Sequence, residues 1–384
     1  MVVSMKIKKF IQSKFFLAIV IILALHILTY PSIHHIVDEY TYLGSSSKIC
    51  ELNFSDFFGE KTLEEIEYYT HNTPLYSVIF CLTSPIHNFN VERAGLVIFA
   101  FLIATVIGWY YSIPKDWKID KKKFVLLLLS NSLLWVYCWR ALKDVPLAFF
   151  LSLGVFHLYL HFERKKIKNY YIAFILLSIA LLLKESSILY IPIFFTYFLI
   201  KKVHNLKKWA LLILPIIPYL VFTLLQYMSG FPVYWLFTSS FRATSELIYP
   251  ELIPYARLPT VIFMIGIFGP GFISIVLRWK DSLFRKSEFN DFLKFFLIFY
   301  IIWELVFDFV LFGNMPRYHT ILMPFLSLII AESAEKTKNL KILFYLTLVY
   351  SIISGFAISY YFHVESLEIW RTSLREIIEK ILGR

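Results

Sequence analysis

Runs of about 20 predominantly apolar residues recur along the whole chain. This recurrence restricts the fold more than any other feature, because a run of that length can cross the hydrocarbon core of a bilayer as an α-helix. The chain is 58% hydrophobic and 19% aromatic, whereas a soluble domain is about 45–50% apolar. The alternating segments of about 10 residues that a transmembrane β-barrel requires do not occur. The sequence therefore predicts an all-α, polytopic membrane protein.

Eleven apolar segments fit transmembrane helices. They form one predicted transmembrane domain over residues 1–361, with a long outer loop over residues 33–93. An amphipathic helix on the outer face is predicted over residues 362–384, because its apolar residues recur at helical spacing. The predicted spans are 13–32, 94–113, 123–139, 145–161, 170–184, 186–200, 209–228, 259–277, 292–312, 317–331 and 341–361.

The net charge of +11 is distributed as in a membrane protein. If the N-terminus lies inside, every predicted inner segment carries several Lys and Arg residues, and most outer segments carry fewer, as the positive-inside rule requires. We therefore expect a multi-pass plasma-membrane protein with a cytoplasmic N-terminus, an external C-terminus and no nucleic-acid partner. The predicted inner connections are Lys115–Lys123, Phe162–Asn169, Lys201–Lys208, Arg278–Asp291 and Glu332–Lys341.

Two adjacent acidic residues, Asp38 and Glu39, follow the first predicted span. They are candidates for a site on the outer face, and the alternative is a solvated pair just beyond a helix end. The apolar run Pro74–Ile86 in the same loop is too short to cross about 30 Å of hydrocarbon, which indicates a helix lying in the membrane interface. Cys50 and Cys81 share this loop and are candidates for a disulfide.

Several charges are predicted at membrane depth. Lys184 and Glu185 interrupt the apolar stretch Tyr170–Ile200 and leave two arms that are each shorter than a full span. Arg317 precedes a similarly short arm, and Arg140 and Lys143, with Asp144, cap the third and fourth spans on the outer side. Buried charges are costly unless they are paired or line a wet cavity. These residues are therefore candidates for binding an anionic group, and internal ion pairs are the alternative.

Glu304 and Asp308 stand four residues apart on the ninth predicted span, hence on one helix face. They can act as partners for Arg317, which we favour, or as proton-relay groups. The second interpretation leads to an alternative function, a polytopic transporter or lipid flippase. A third candidate function is that of a non-catalytic membrane scaffold. Transporters often contain inverted repeats, and we find no such internal symmetry in this sequence.

The chain resembles the C-type membrane glycosyltransferases, which include the protein O-mannosyltransferases and the aminoarabinose transferase that modifies lipid A. The resemblance covers most of residues 15–330, and its strength lies in the order of several short motifs and their common outer placement. The matching stretches are VDEY (Val37–Tyr40), HNTPLYSVIF (His71–Phe80), VERAGLVIF (Val91–Phe99), LLKESS (Leu182–Ser187) and PRYHTILMPFL (Pro316–Leu326).

The resemblance implies that a sugar moves from a polyprenyl phosphate carrier of the dolichyl type, such as dolichyl phosphate mannose, to an acceptor hydroxyl on the outer face, with inversion. Asp38 is then the general base, and Glu39 orients the acceptor or raises the basicity of Asp38. Four cations are candidates for holding the departing phosphate: Lys184, Arg317, Arg140 and Arg93.

Further residues have supporting roles in this scheme, namely Glu185, Tyr318 and His71. The resemblance requires no cofactor, but Asp38 and Glu39 together with His35 are candidates for holding Mg²⁺ or Mn²⁺. A solvated loop histidine is the alternative for His35 and His71. The expected partners are the polyprenyl-phosphate sugar donor, membrane lipid, and an acceptor that is a glycan, a lipid or a protein.

Overall fold

The computed structural model describes residues 13–30, 37–51, 74–117, 119–203, 205–228, 266–280, 287–307 and 316–361. Every regular element in these ranges is helical, as predicted. Short 3₁₀ helices cover Lys115–Trp117, Glu185–Leu189, Leu214–Ile216 and Pro316–Leu322. The α-helices are α1 (Lys14–Thr29), α2 (Val37–Glu51), α3 (Pro74–His87), α4 (Val91–Ser112), α5 (Lys121–Ser130), α6 (Ser132–Tyr137), α7 (Asp144–Arg164), α8 (Ile167–Leu183), α9 (Tyr190–Ile200), α10 (Leu206–Ile213), α11 (Ile217–Met228), α12 (Pro270–Trp279), α13 (Ser287–Phe307), α14 (Met323–Ser333) and α15 (Lys338–Tyr361).

Helix α7 lies at the centre of the bundle. Its most apolar stretch is 78% buried inside the protein, compared with 44% or less in the other helices of full membrane length. It packs against α4, α8, α14 and the 3₁₀ helix Pro316–Leu322. Because α7 begins at Asp144, its first residue is surrounded by the ends of these neighbouring elements.

Within the described residues, four helical stretches are long and apolar enough to cross a membrane, so the predicted count of eleven is not confirmed. Helix breaks shorten several predicted spans. Asn131 divides the predicted span 123–139, because its side-chain oxygen accepts a hydrogen bond from the Leu134 N–H at 3.1 Å and caps a new helix. The four stretches are Val91–Ser112, Asp144–Arg164, Leu206–Leu225 and Lys338–Ser359, and shorter apolar helices cover Lys14–Thr29, Ile167–Leu183, Ser187–Ile200 and His319–Ser333.

The described parts of the first outer segment form two helices, α2 and α3. Asp38 and Glu39 lie in the first turn of α2 rather than in a loop, and the apolar run beginning at Pro74 forms α3 as predicted. A disulfide joins Cys50 of α2 to Cys81 of α3, with the two Cα atoms 5.5 Å apart. The helix predicted over residues 362–384 lies outside the described residues.

Candidate functional site

Glu39 points into the bundle. Its side chain is fully buried, and its Oε1 accepts a hydrogen bond from the backbone N–H of Ala141 at 2.7 Å. Its Oε2 lies 3.8 Å from Nη1 of Arg140, whose side chain is 2% exposed. Leu43 and Ser46 follow Glu39 at helical spacing and are also buried. This stripe fixes which face of α2 meets the rest of the protein.

Arg140 lies in the short link between α6 and α7. The backbone of this link passes against the start of α4, where a Cβ atom added to Gly95 would lie only 2.2 Å from the carbonyl oxygen of Trp139. The indole ring of Trp139 stacks on Phe99 of α4, with ring centroids 4.2 Å apart and planes inclined by 6°. A glycine at position 95 is therefore required for this close approach, which sets the position of the neighbouring Arg140.

Lys143 lies at the end of the same link. Its side chain is buried, and its Nζ lies 4.5 Å from the ring centroid of Tyr42 on α2 and 5.7 Å from that of Tyr76 on α3. The two tyrosine rings meet edge to face at 5.6 Å. Cation–π contacts of this kind join both helices of the outer segment to the start of α7.

Lys184 reaches the same region from α8. Its Nζ lies 3.5 Å from Oδ1 of Asp144, the first residue of α7. The 17 residues of α8 extend for about 25 Å, which is less than the roughly 30 Å of a hydrocarbon core. The backbone turns to an extended conformation at Lys184, so this lysine ends a short helix, as the sequence predicted.

The 3₁₀ helix that carries Arg317 also contacts this region. The hydroxyl of Thr320 donates a hydrogen bond to the backbone carbonyl of Asp144 at 3.2 Å. The PRYHTIL segment therefore lies beside the start of α7, although it follows it by more than a hundred residues in the chain.

Five charged residues define what we call the polar cluster. Buried charges of this kind are tolerated when they are paired, and both acids of the cluster have a cation within 4 Å. The sequence placed Lys143 and Asp144 beside Arg140, in the polar link between two apolar spans. Neither of these two members was assigned a role in the donor-phosphate scheme. The polar cluster consists of Glu39, Arg140, Lys143, Asp144 and Lys184.

Arg93 is placed differently from Arg140 and Lys184. Its backbone N–H donates to the side chain of Asn90 at 2.9 Å, where Asn90 caps α4, and its own side chain is exposed. Among the contacts of the described residues, none joins the Arg93 side chain to the polar cluster.

Other predicted site residues are described only in part. The backbones of Asp38 and Glu304 are helical, and those of Glu185, Arg317 and Tyr318 lie in 3₁₀ helices, but their side chains fall outside the described part of the structure. The residues that lie outside it entirely are His35, His71 and Asp308.

The metal hypothesis gains no ligand set from the described residues, in which no three His, Cys, Asp or Glu side chains come together. One oxygen of Glu39 accepts the Ala141 N–H and the other faces Arg140. This arrangement disfavours Glu39 as a ligand. The hypothesis then depends on Asp38 and His35.

The family model described as dolichyl-phosphate-mannose-protein mannosyltransferase matches residues 71–227. This segment includes α3, α4, the link carrying Arg140 and Lys143, and the turn at Lys184. No curated protein sequence matches the chain.

Two solved structures share the fold. The apo structure of ArnT from Cupriavidus metallidurans superimposes with a TM-score of 0.55 at 17% identity, covering 83% of this chain and 60% of ArnT. The structure of the same protein bound to undecaprenyl phosphate gives a TM-score of 0.61 at 14% identity, with coverage of 84% and 60%. The chain thus spans about three fifths of ArnT. The family match and these structures confirm the resemblance to C-type glycosyltransferases and support a multi-pass membrane protein.

Proposed function

We propose that the chain is a membrane glycosyltransferase that moves a sugar from a polyprenyl phosphate carrier to an acceptor hydroxyl. The observation that carries this proposal is the polar cluster, in which Arg140 pairs with Glu39 of α2 and Asp144, four residues later, pairs with Lys184 at the end of α8. The matched family has glycosyltransferase members, and the ArnT structure that contains undecaprenyl phosphate supports a carrier of this chemistry.

The reaction requires a base and a cationic clamp. In the proposed step the acceptor oxygen attacks the anomeric carbon, its proton passes to the Asp38 carboxylate, and the bond to the phosphate oxygen breaks with its electron pair leaving on the phosphate. This single displacement inverts the anomeric centre. Lys184 and Arg317 stabilise the negative charge that develops on the departing phosphate.

The burial of two cluster members favours positioning roles for them. Glu39 and Arg140 are at most 2% exposed, and each faces the other. An acceptor or a lipid phosphate would have to displace packed protein to reach them. We therefore assign Glu39 and Arg140 to holding the start of α2, with its neighbouring Asp38, against the bundle.

Lys184 is the better candidate for contact with the donor. Its side chain is 21% exposed, whereas that of its partner Asp144 is 4% exposed. A lysine ammonium acts as a point charge toward phosphate. In the proposed complex the Lys184 ammonium group would contact both the bound phosphate and the Asp144 carboxylate. Turnover on the outer face of the plasma membrane, with the N-terminus in the cytoplasm, belongs to the same proposal. Mannose as the sugar and protein as the acceptor are suggested by the name of the matched family.

The experiment is turnover by the purified full-length chain in lipid vesicles, supplied with a panel of labelled polyprenyl-phosphate sugars. We expect consumption of at least one donor with release of the polyprenyl phosphate. The control is Asp291→Asn, which removes an exposed acid paired with Lys201 and should leave turnover unchanged. If no donor is consumed and labelled carrier instead moves between the leaflets, the transferase proposal fails and the transporter alternative involving Glu304 and Asp308 gains support.

A further inference from the structure

Lys143 occupies an unusual place for a lysine. Its side chain is 8% exposed, yet its ammonium group lies over two aromatic rings that come from α2 and α3. Burying an ammonium group costs several kcal/mol unless the surroundings compensate. Lysines at helix ends normally extend their charge into solvent. The fold therefore keeps the Lys143 ammonium group inside the protein, against the rings of Tyr42 and Tyr76.

The geometry of α2 shows which face of this helix the Lys143 ammonium group approaches. Glu39, Leu43 and Ser46 are buried and mark the inward face of the helix. Tyr42 flanks this face, and position 38 lies one turn before Tyr42 on the same side, since residues four apart are neighbours on a helix. Lys143 lies over the Tyr42 ring. Its ammonium group is therefore on the side of α2 that carries position 38.

We propose that Lys143 is a positioning residue for the Asp38 base, which its ammonium group keeps ionised and oriented toward the acceptor. The inference rests on the proposed function, because only an ionised carboxylate can take the acceptor proton. An opposite charge within about 4–6 Å favours the charged form of a carboxyl group. The Tyr42 and Tyr76 rings fix the ammonium group in place for this role.

Other charges set the background for this interaction. Each acid of the polar cluster has a cation within 4 Å, Arg140 for Glu39 and Lys184 for Asp144. Cys81 of α3 is held in a disulfide and does not titrate. The remaining described charged or titratable groups at the described ends of the helices packed on α2 are Tyr76 and His87 on α3, and Glu92 and Arg93 at the start of α4.

The test uses the full-length protein in lipid and two variants, Lys143→Met and Lys143→Arg. Asp38 is labelled with a water-soluble carbodiimide, which reacts with protonated carboxyl groups, and labelling is measured by peptide mass spectrometry as a function of pH. We expect the midpoint of labelling to rise by about 1–3 pH units in Lys143→Met and to return toward the wild-type value in Lys143→Arg. Lys201→Met, which removes an exposed lysine, should not move it.

Turnover separates this inference from the proposed function. With a donor that the wild type consumes, Lys143→Met should reduce the transfer rate at least tenfold while donor binding stays within about twofold, and Lys143→Arg should restore most of the rate. An unchanged labelling midpoint in Lys143→Met would overturn the inference, even if the variant were less stable. A shifted midpoint in a protein that consumes no donor would retain the Lys143–Asp38 interaction and reject the transferase.

Discussion

Glu39 and Arg140 form a buried ion pair, in which Oε2 of the glutamate lies 3.8 Å from Nη1 of the arginine. The pair joins the first turn of α2 to the link before α7. The backbone N–H of Ala141 donates to the other carboxylate oxygen at 2.7 Å, so the glutamate is held from two directions. This arrangement ties the segment that carries Asp38 to the link that leads into α7.

Removal of one partner of this pair should destabilise the protein strongly. Arg140→Met leaves the Glu39 charge buried without its partner, and we expect a loss of about 3–5 kcal/mol in the free energy of unfolding. The double variant Glu39→Gln with Arg140→Met leaves neither charge and should recover most of this loss. Denaturant unfolding in detergent micelles measures both. A double variant as unstable as the sum of the single variants would contradict the pairing.

Enlargement of Gly95 should disturb the site through the backbone. A Cβ atom at this position would meet the Trp139 carbonyl at 2.2 Å, so Gly95→Ala forces α4 away from the link that carries Arg140. We expect a cost of about 1–3 kcal/mol in unfolding free energy and a fall in turnover. Gly266→Ala is the matched control, since its added Cβ would meet no atom within 4 Å. Equal stability of the two variants would argue against the close approach.

The disulfide between Cys50 and Cys81 should stabilise the outer segment. It links α2 to α3 across 31 residues of chain, and removal of such a link typically costs about 2–5 kcal/mol. The double variant Cys50→Ser with Cys81→Ser should therefore unfold at a lower temperature than the wild type. Thiol labelling before and after reduction checks the assignment, with Cys138 as the buried free cysteine. Three free thiols in the unreduced, denatured protein would contradict it.

His87 should make the outer segment sensitive to acid. Burial lowers the pKa of His87 below its usual value of 6.5, although its hydrogen bond to the Phe80 carbonyl opposes this effect. Its other ring nitrogen accepts the Phe89 N–H at 2.9 Å, which requires the unprotonated ring. The neutral ring therefore contributes stability that is complete above about pH 6.5 and is lost as the pH falls through the folded pKa.

Melting temperatures at pH 8 and pH 5 test this interpretation of His87. We expect the wild type to lose stability at the lower pH, and His87→Gln to lose less, because glutamine does not titrate. His161→Gln is the control, since that histidine lies at the far end of α7. If His87→Gln retained the full pH dependence, the effect would belong to other groups.

The helical fold and the short helix that ends at Lys184 were predictable, because both follow from the lengths of the hydrophobic runs. The break at Asn131 was not, since a single polar residue within an apolar run is compatible with an unbroken helix. Lys143 was recognised as a charge at a span end, but its contacts with Tyr42 and Tyr76 were not predictable, because these tyrosines come from a distant segment. The burial of Glu39 was not predictable either, because it depends on the tertiary contact with Arg140.

The most direct test of the transferase is a single-turnover reaction of the wild type and Asp38→Asn with one labelled polyprenyl-phosphate sugar, with donor binding measured in parallel. Removing the base should reduce the transfer step by about 10²–10⁴-fold and leave the donor affinity within about threefold, since the asparagine keeps the size of the side chain. Transfer by Asp38→Asn at the wild-type rate would contradict the account, because the acceptor proton would then have to pass to another group.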